Sequence, residues 1–425
     1  MHFSDEISRK EFVEYTEKTK KGNYLQTIEM ADLKKTRGQS VFFVGLKDQC
    51  GKVVYAAVAT RLKLRVGFEY NISGFEMPSE ENNFKVFISG MKKFVKKNNG
   101  IYMIIQPNIR HGMFDNVGNQ IGEIDNKAVQ FFSEEGFDYE PAKRGFNDNG
   151  NPFWIYAKDI KGFSYKELAK TYNKEAVYSL KKTNQFGIKV RNLDYSELSM
   201  FKKITEETSE RRNFHDKSLL YYEQVYKIYG DQAKFLIAEL NIQNYLDGLL
   251  QKKDKLSKKI KDLNSYLDEH DNKLKKGYKK KANQKKELLS QKVTYEKRIA
   301  EALLIQQKNV NNTIILACAL FLICPHEVVY LFSGTVEQYK NMYAPFLIQD
   351  EMLKYTAENN IPLYNFYGIE GNFDGSDGVL KFKEAFNGYA VELIGEFKFY
   401  TSSLKTKMYL AMKKFVRLIR KDSLK

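Results

Sequence analysis

The stretch from residue 241 to residue 308 constrains the fold most, because it contains no proline and carries apolar residues at heptad spacing. Leu249, Leu256 and Leu263 recur every seven residues. A second apolar series, interrupted by a lysine, occupies the other seam position of the heptads, at Leu246, Ile260, Leu267 and Leu274. Such a seam is typical of a coiled coil. Because the break at Gly277 lets a second helix fold back, the pattern predicts an antiparallel two-helix arm, each helix about 30 residues and roughly 45 Å long.

Strands and helices alternate on both sides of this arm. Val41–Leu46 and Val53–Thr60 read as paired strands, Phe84–Lys97 has helical apolar spacing, and Ile101–Ile105 reads as a short buried strand. A comparable series follows residue 165, so the chain is predicted to be α/β (α+β), with two similar mixed domains in tandem. The predicted divisions are a first domain at 1–160, a second at 161–240 and 309–403, the arm at 241–308 and an amphipathic C-terminal helix at 404–425.

The charge of the chain is strongly positive. Lys and Arg number 69 against 53 Asp and Glu, and the formal net charge is +16. The arm holds 18 Lys/Arg and 9 Asp/Glu, with a dense basic run near its tip. This excess favours an anionic partner, and Lys279, Lys280 and Lys281 are the predicted contacts to tRNA phosphates. Two plainer explanations stay open, namely solubility and the ordinary charged surface of a solvated coiled coil.

Cysteine and apolar content indicate where the protein works. Cys50, Cys318 and Cys324 form no CxxC pair, so we expect reduced thiols and neither a disulfide framework nor a metal site. The N-terminus has no apolar signal region. The longest apolar run, Ile314–Cys324, is shorter than the roughly 20 residues that a membrane span needs. We therefore expect a cytoplasmic protein, either free or in peripheral contact with the inner face of the membrane.

The segment from Tyr364 to Phe397 carries the strongest chemical signal. We expect an aromatic strand, a Gly/Asp-rich loop, a basic-aromatic step at 381–383 and a second apolar strand. Cations beside such a loop can hold phosphates or stabilise a developing oxyanion. The sequence contains no GxSxG elbow, HExxH helix or Walker loop. It also lacks the pyrophosphate loop of acetyl-CoA-dependent acyltransferases, so we expect no cofactor.

Several motifs together give a family resemblance. The sequence resembles the Fem family of peptidoglycan-bridge aminoacyl ligases over almost its whole length, including a two-helix insertion. The segments that carry the resemblance are Leu25–Lys34, Lys181–Arg191, Glu207–Tyr222, Pro325–Tyr330, Tyr364–Gly368 and Val379–Lys383.

The resemblance implies two acetyltransferase-like (GNAT-type) domains and an arm that contacts tRNA. It implies transfer of an amino acid from aminoacyl-tRNA to the stem-peptide amine of a peptidoglycan precursor, lipid II or a related molecule. The residues implied at the substrate site are Lys34 and Arg211 on the precursor phosphates, Lys181 as a further substrate contact, Tyr330 in the substrate channel and Lys381 near the ester. Phe382 and Lys383 would sit at the aminoacyl ester, where Lys383 would donate to the oxyanion.

The sequence departs from the family pattern at two places. An Arg-Gly-Pro after the third strand is absent, since residues 72–76 contain neither Arg nor Pro. The acid that usually precedes the next strand's proline is replaced by Gln106, whose neutral amide cannot act as a general base. Two other functions stay open: a non-catalytic tRNA- or RNA-binding protein, and a GNAT-type acyltransferase that uses another donor on another cell-envelope substrate.

Overall fold

Two β-sheets flanked by helices form the body of the protein in a computed structural model. The model describes residues 1–19, 22–78, 80–145, 150–212, 214–269, 276–309, 311–401, 404 and 406–412. The first sheet has seven strands in the order β1-β2-β3-β4-β5-β15-β7, and the second has eight in the order β6-β14-β8-β13-β12-β11-β10-β9, within these residues. The predicted mixed α/β class is therefore confirmed.

The strands vary from three to eleven residues. In chain order they are β1 (His2–Ser4), β2 (Ser40–Lys47), β3 (Val53–Lys63), β4 (Phe68–Phe75), β5 (Gly100–Pro107), β6 (Arg110–Phe114), β7 (Asp138–Glu140), β8 (Trp154–Asp159), β9 (Lys189–Asn192), β10 (Ala233–Asn241), β11 (Thr313–Ile323), β12 (Glu327–Thr335), β13 (Leu363–Gly368), β14 (Tyr389–Leu393) and β15 (Glu396–Tyr400).

The helices cover both sheets or form the arm. In chain order they are α1 (Arg9–Lys18), α2 (Ile28–Thr36), α3 (Glu81–Lys97), α4 (Lys127–Glu134), α5 (Tyr165–Lys170), α6 (Lys174–Phe186), α7 (Leu198–Arg212), α8 (Leu219–Tyr229), α9 (Ile242–Glu269), α10 (Lys276–Lys308), α11 (Ala344–Glu358) and α12 (Gly378–Glu384). The apolar spacing that predicted α3 is confirmed, since its four predicted core residues are buried: Phe84, Phe87, Met91 and Phe94. Each such side chain contributes about 1.5–3 kcal/mol through its burial.

The same series of elements occurs twice. In the first sheet β2, β3 and β4 are antiparallel, and α3 leads the chain to β5, which lies parallel to β4. In the second sheet β10, β11 and β12 are antiparallel, and α11 leads to β13, which lies parallel to β12. Two helices precede each series, α1 and α2 in the first and α7 and α8 in the second. This repetition supports two similar units in tandem.

The two sheets exchange strands across residue 160. Strands β6 and β8 come from the first 160 residues but belong to the second sheet, where β8 lies between β14 and β13. Conversely β15, near the end of the described chain, lies beside β5 in the first sheet. The division between the sheets therefore does not coincide with the predicted division of the chain, and the domain boundaries stay a prediction.

The arm consists of α9 and α10, inserted between β10 and β11. At its base, Gln306 Nε2 donates to Gln243 Oε1 at 2.7 Å. Near its tip, Lys281 Nζ lies 5.6 Å from the centroid of the Tyr266 ring. Contacts at both ends show that the two helices are antiparallel, as predicted. The heptad leucines Leu256, Leu263 and Leu267 are buried. The break predicted at Gly277 is wrong, because Gly277 lies inside α10. Interdigitated coiled-coil packing stays a prediction, and residues 270–275 between the helices lie outside the described residues.

The C-terminal segment is described only in part. Residues 406–412 are helical. The remaining part of the predicted amphipathic helix lies outside the described residues, including its basic positions Lys413, Lys414, Arg417 and Arg420. In the part of the chain that the structure describes, no helix combines the length and the apolar character needed to cross a membrane.

Candidate active site

A cleft opens between the two sheets. The end of β5, strand β13 and the turn that precedes α2 contribute residues to its lining. No Lys, Arg, Asp or Glu lines it among the described residues. Its polar lining consists of five carboxamides and two phenols, from Asn23, Gln106, Asn108, Asn151, Asn365, Tyr24 and Tyr367. Carboxamides offer both donors and acceptors, so this neutral lining suits the N–H and C=O groups of a peptide.

The two departures from the family pattern both lie at this cleft. Gln106 accepts hydrogen bonds at its Oε1 from Ser73 Oγ at 2.8 Å and from Asn151 Nδ2 at 3.3 Å. Gly74 has φ +73, and a Cβ there would lie 2.5 Å from Asn23 Oδ1. A side chain at 74 would thus close this part of the cleft. The backbone at Gly74 is therefore packed closely against Asn23, and the cleft has no carboxylate at position 106.

One wall of the cleft is held by hydrogen bonds that converge on Glu327. This carboxyl group accepts from the Tyr24 backbone N–H at 2.8 Å and from Asn365 Nδ2 at 2.9 Å. Asn365 Oδ1 in turn accepts from the Tyr367 N–H at 2.8 Å, and the hydroxyls of Tyr24 and Tyr367 lie 3.2 Å apart. Glu327 is 2% exposed. Burial raises the pKa of its carboxyl, although both hydrogen bonds act in the opposite direction.

Helix α12 carries the three residues of the predicted basic-aromatic step. The sequence led us to expect no helix there, and this expectation is wrong. Asp377 starts the helix, because its carboxylate accepts from the N–H groups of Val379 and Leu380 at 2.8 and 2.9 Å. The three side chains then point in different directions: Lys381 is exposed, Phe382 is half-buried and Lys383 is buried.

Lys383 is 3% exposed and has no carboxylate partner among the described residues. Its Nζ donates to Gly368 O at 2.6 Å and to Tyr367 O at 3.3 Å, both on β13. Burial lowers the pKa of Lys383 to about 7, while the nearby Asp377 acts in the opposite direction. An ammonium carries three N–H donors, so one is left for a further acceptor. This arrangement suits the stabilisation of a developing negative charge.

The remaining contacts of α12 fix its aromatic side and its C-terminal end. The Phe382 ring lies 5.0 Å from that of Phe346 between centroids. Beyond the helix, Lys158 Nζ donates at 2.7 Å to each of three oxygens, Thr171 Oγ1, Phe386 O and Asn387 O. Burial lowers the pKa of Lys158 to about 8. Two buried lysines therefore tie α12 to the second sheet.

Lys34 lies near Arg37, which together with Lys217 flanks the Tyr221 ring. Arg37 and Lys217 lie 5.6 and 6.0 Å from the centroid of that ring. Burial and the positive charge of Arg37 lower the pKa of Lys34 to about 8. The same two causes, burial first, lower the pKa of Lys217. Because Arg37 acts on both Lys34 and Lys217, the three cations together provide a site for an anion such as a phosphate.

Arg211 is not part of this cluster. Its Nε pairs with Glu337 at 3.2 Å and its Nη2 donates to Thr335 O at 3.3 Å. The neighbouring Arg212 instead approaches α12, since a Cβ on Gly378 would lie 3.9 Å from Arg212 Nη1. Burial raises the pKa of Tyr330 to about 12, while the positive charge of Arg212 acts to lower it. The Tyr330 ring stacks on Phe321 at 5.2 Å.

Some predicted site residues lie apart from these clusters. Lys181 is exposed on α6, and Lys279 and Lys280 are exposed on α10, with Lys281 half-buried beside Tyr266. Sequence reasoning missed four residues whose contacts reach the site: Arg37, Lys158, Lys217 and Glu327. Lys158 and Glu327 had a usable signal in the sequence, because a lone Lys or Glu inside an apolar strand is rarely buried without a reason. No group of His, Cys, Asp or Glu in the described residues is arranged to hold a metal ion.

The two-sheet fold is similar to that of a solved structure of FemX. That structure aligns with a TM-score of 0.72 and 18% identity, covering 97% of this chain and 99% of FemX. The chain belongs to the FemAB family, which it matches over residues 7–414. It is similar to the aminoacyltransferase FemA of Staphylococcus aureus strains RF122 / ET3-1 and N315. Each is 28% identical over 399 residues, 92% of this chain and 93% of the relative.

Proposed function

We propose that the protein moves an amino acid from aminoacyl-tRNA to the stem-peptide amine of a peptidoglycan precursor, lipid II or a related molecule, and thereby builds the interpeptide bridge. Membership of the FemAB family and similarity to FemA aminoacyltransferases support this Fem-type aminoacyl transfer. The observation that carries the proposal is Lys383, a buried ammonium held by the carbonyls of Tyr367 and Gly368. Tyr367 also lines the neutral cleft.

The acceptor would use two places on the molecule. Its phosphates would bind the cluster of Lys34, Arg37 and Lys217, where no carboxylate pairs with Lys34 among the described residues. Its stem peptide would lie in the cleft, whose carboxamides match peptide groups. Arg211, paired with Glu337, would contribute only if that ion pair opened. Lys181 and Lys381 are exposed and are proposed as outer contacts to the substrates.

The chemistry needs alignment more than acid–base assistance. The ester of aminoacyl-tRNA is already activated, so the neutral acceptor amine attacks its carbonyl carbon directly. A C–N bond forms, the ester C–O bond breaks, and the amine's proton ends on the ribose hydroxyl that leaves. Alignment of this kind contributes about 7–11 kcal/mol. Lys383 would donate to the tetrahedral oxyanion, an interaction of about 3–4 kcal/mol. Phe382 would pack against the aminoacyl group.

Two further contacts belong to the proposal. The arm would bind tRNA phosphates through Lys279, Lys280 and Lys281, since its basic surplus is concentrated there. Peripheral contact with an anionic membrane would bring the protein to a lipid-linked acceptor. Its proposed carriers are the basic residues beyond residue 412, each worth about 1 kcal/mol near such a surface. Co-sedimentation with anionic and with neutral liposomes tests that contact.

The test of the function is direct transfer. Radiolabelled aminoacyl-tRNA is incubated with the protein and purified lipid II, and label is followed into the lipid fraction. We expect label on lipid II that depends on both substrates. Tight tRNA binding without transfer would identify a non-catalytic RNA-binding protein instead. Labelling of an envelope substrate from acyl-coenzyme A, but not from tRNA, would identify an acyltransferase of another kind. Either result overturns the proposal.

A further inference from the structure

Among the described residues, Glu327 is the only one whose side chain hydrogen-bonds both to the turn at Tyr24 and to strand β13. Its Oε1 accepts from the Tyr24 N–H and its Oε2 from Asn365 Nδ2. The ring closes through Asn365 Oδ1, the Tyr367 N–H and the two tyrosine hydroxyls. Tyr24 precedes the first sheet's repeat unit and Tyr367 belongs to the second, so this ring ties the two halves of the chain at the cleft.

The chemistry of the ring requires a carboxylate at position 327. The Tyr24 N–H is a donor. The Asn365 amide must also present its NH₂ group, because its oxygen is occupied by the Tyr367 N–H at 2.8 Å. A group between two donors must accept on both sides, and a carboxylate does so. A glutamine would place an N–H against one of these donors, and a protonated glutamate would offer its hydroxyl oxygen, a weaker acceptor, to one of them.

The ring bears on both parts of the candidate site. Tyr24, Asn365 and Tyr367 line the cleft, and the Tyr367 carbonyl accepts from Lys383 Nζ. Tyr367 has φ +66, an unusual conformation for a bulky residue that its surroundings must maintain. The Asn365 bond to the Tyr367 N–H is one of those constraints. A change at Glu327 is therefore transmitted to the cleft wall and to a carbonyl that holds Lys383.

We propose that Glu327 is a positioning residue for aminoacyl transfer, which holds Tyr24 and Tyr367 as the cleft wall only while its carboxyl group is ionised. This inference rests on the proposed function. It assigns no contact between Glu327 and either substrate, because the side chain is 2% exposed. Its role is to hold Tyr24 and Tyr367 in the wall of the cleft. Through Tyr367 it also fixes the position of a carbonyl bound by Lys383.

Protonation of Glu327 would therefore disable the site in acid. Burial raises the pKa of Glu327. The titratable or charged groups that act on it or lie next to it are Tyr24, Glu76, Arg110, Cys324, His326 and Tyr367. Because its pKa is higher in the folded than in the unfolded protein, this group does not reduce the free energy of unfolding as the pH falls. Activity would therefore fall in acid, whereas the contribution of Glu327 to the free energy of unfolding would not fall.

The test compares pH profiles of transfer from charged tRNA to lipid II. For Glu327→Gln we expect turnover at neutral pH about tenfold lower, the effect of one unpaired buried donor. We also expect that the parent protein shows an acid limb in its profile and that this limb is absent from the profile of the variant. The matched control is Glu358→Gln, the same change at an exposed position on α11. It should keep the parent rate and the parent profile.

A double variant tests the hydrogen-bond logic itself. In Glu327→Gln combined with Asn365→Asp, the amide at 327 can accept from Tyr24 and donate to the new carboxylate at 365. That carboxylate can still accept from the Tyr367 N–H. We therefore expect the double variant to recover most of the turnover lost by Glu327→Gln, whereas Asn365→Asp alone places two carboxylates together and should be poorly active. Such recovery would not be expected if Glu327→Gln lowered turnover only by disturbing the packing around position 327.

The inference would be overturned if Glu327→Gln kept the rate and the acid limb of the parent. It would also be overturned if Glu327→Gln had a reduced rate but an unchanged acid limb. A double variant no more active than the single variants would overturn it as well. If Glu327→Gln does not fold, the double variant decides, since recovery of folding and turnover together supports the ring. Absence of transfer by the parent protein would overturn the proposed function, and the inference with it. Transfer by the parent with no effect at Glu327 would overturn the inference alone.

Discussion

Lys383 combines a buried ammonium with two carbonyl partners and no carboxylate among the described residues. The carbonyls of Tyr367 and Gly368 satisfy two N–H donors but do not neutralise the charge. Burying such a charge costs stability, and the cost appears as a pKa lowered to about 7. A lysine retained in this setting is a candidate for function, because a neutral side chain would be more stable there.

We expect Lys383→Met to separate activity from stability. Turnover should fall about 100-fold or more, the loss expected when one oxyanion donor is removed. The melting temperature should change little, because removal of an unfavourable buried charge offsets the loss of a donor to the Tyr367 and Gly368 carbonyls. The measurement is single-turnover transfer together with thermal unfolding, with the exposed Lys166→Met as control. Turnover within a few-fold of the parent would show that Lys383 is not the donor.

The pH dependence of the parent protein tests the same residue without a mutation. The Lys383 pKa is lowered from 10.5 to about 7, so the ammonium is present below that pH and is lost above it. We expect the single-turnover rate, measured at saturating acceptor, to fall on the alkaline side near pH 7. Over the range from about 7 to 10.5 the unfolded chain binds more protons at this site, so the free energy of unfolding rises with pH. A rate that keeps rising past pH 9 would contradict an ammonium donor.

At the scale of elements, α12 is a short helix that depends on contacts at both ends. Asp377 caps its N-terminal end, and Lys158 binds the carbonyls of Phe386 and Asn387 just after its C-terminal end. A helix of seven residues has little stability of its own, so these contacts determine whether it forms. Phe382 and Lys383 are therefore positioned partly by the nearby Asp377 and partly by Lys158, which is far away in sequence.

We expect Lys158→Met to loosen α12 selectively. Two backbone carbonyls lose their donor, which costs about 1–3 kcal/mol. Hydrogen exchange should accelerate in residues 378–387 more than in the rest of the second sheet, and turnover should fall about tenfold in consequence. Lys161→Met, at an exposed position three residues away, should leave both unchanged. Unaltered exchange in 378–387 would mean that Lys158 does not hold the helix.

The arm is an element that the sheets do not need, because it replaces a hairpin turn between β10 and β11. Its proposed role is to contact tRNA phosphates. Replacing Lys279, Lys280 and Lys281 with Ala should weaken tRNA binding and reduce the slope of log K against log salt by about one per lost phosphate contact. The triple change of Lys161, Lys166 and Lys170, exposed on the body, is the control. An unchanged slope would place the tRNA contact elsewhere.

Local patterns predicted the elements well where their apolar period was long. The heptads of α9 and the spacing of Phe84, Phe87 and Met91 in α3 are confirmed by burial. Helix α12 was missed because seven residues after a Gly/Asp-rich loop show barely two turns of periodicity. Arg211 was chosen over Arg212 by motif, yet one step along a helix turns the side chain by about 100°, and this decides which guanidinium approaches α12.

At the scale of the whole molecule, the sheets are joined by strands contributed from distant parts of the chain. Strand β8 pairs with β13 and β14 in the second sheet, while β15 pairs with β5 in the first. The sequence predicted two similar mixed units, but periodicity within an element says nothing about which sheet receives it. Strand pairing joins residues that are far apart in the chain, such as Tyr102 on β5 and Tyr400 on β15.

The same non-local packing creates the cleft. Its lining comes from residues between 23 and 395, and Glu327 binds the backbone of Tyr24 across 303 positions. The motifs identified Lys34, Tyr330 and Lys383 one by one. Their neighbours Arg37, Lys217 and Glu327 became apparent only in three dimensions, because each acts through a contact with a residue of another element.

The central claim is that this chain forms a peptide bond between an amino acid carried by tRNA and the stem peptide of a peptidoglycan precursor. The most direct measurement is mass spectrometry of lipid II after incubation with charged tRNA and either the parent protein or Lys383→Met. We predict that the parent adds an amino-acid residue in amide linkage to a side-chain or terminal amine of the stem peptide, and that the variant adds about 100-fold less. Lipid II of unchanged mass after incubation with the parent, despite measurable tRNA binding, would contradict the account.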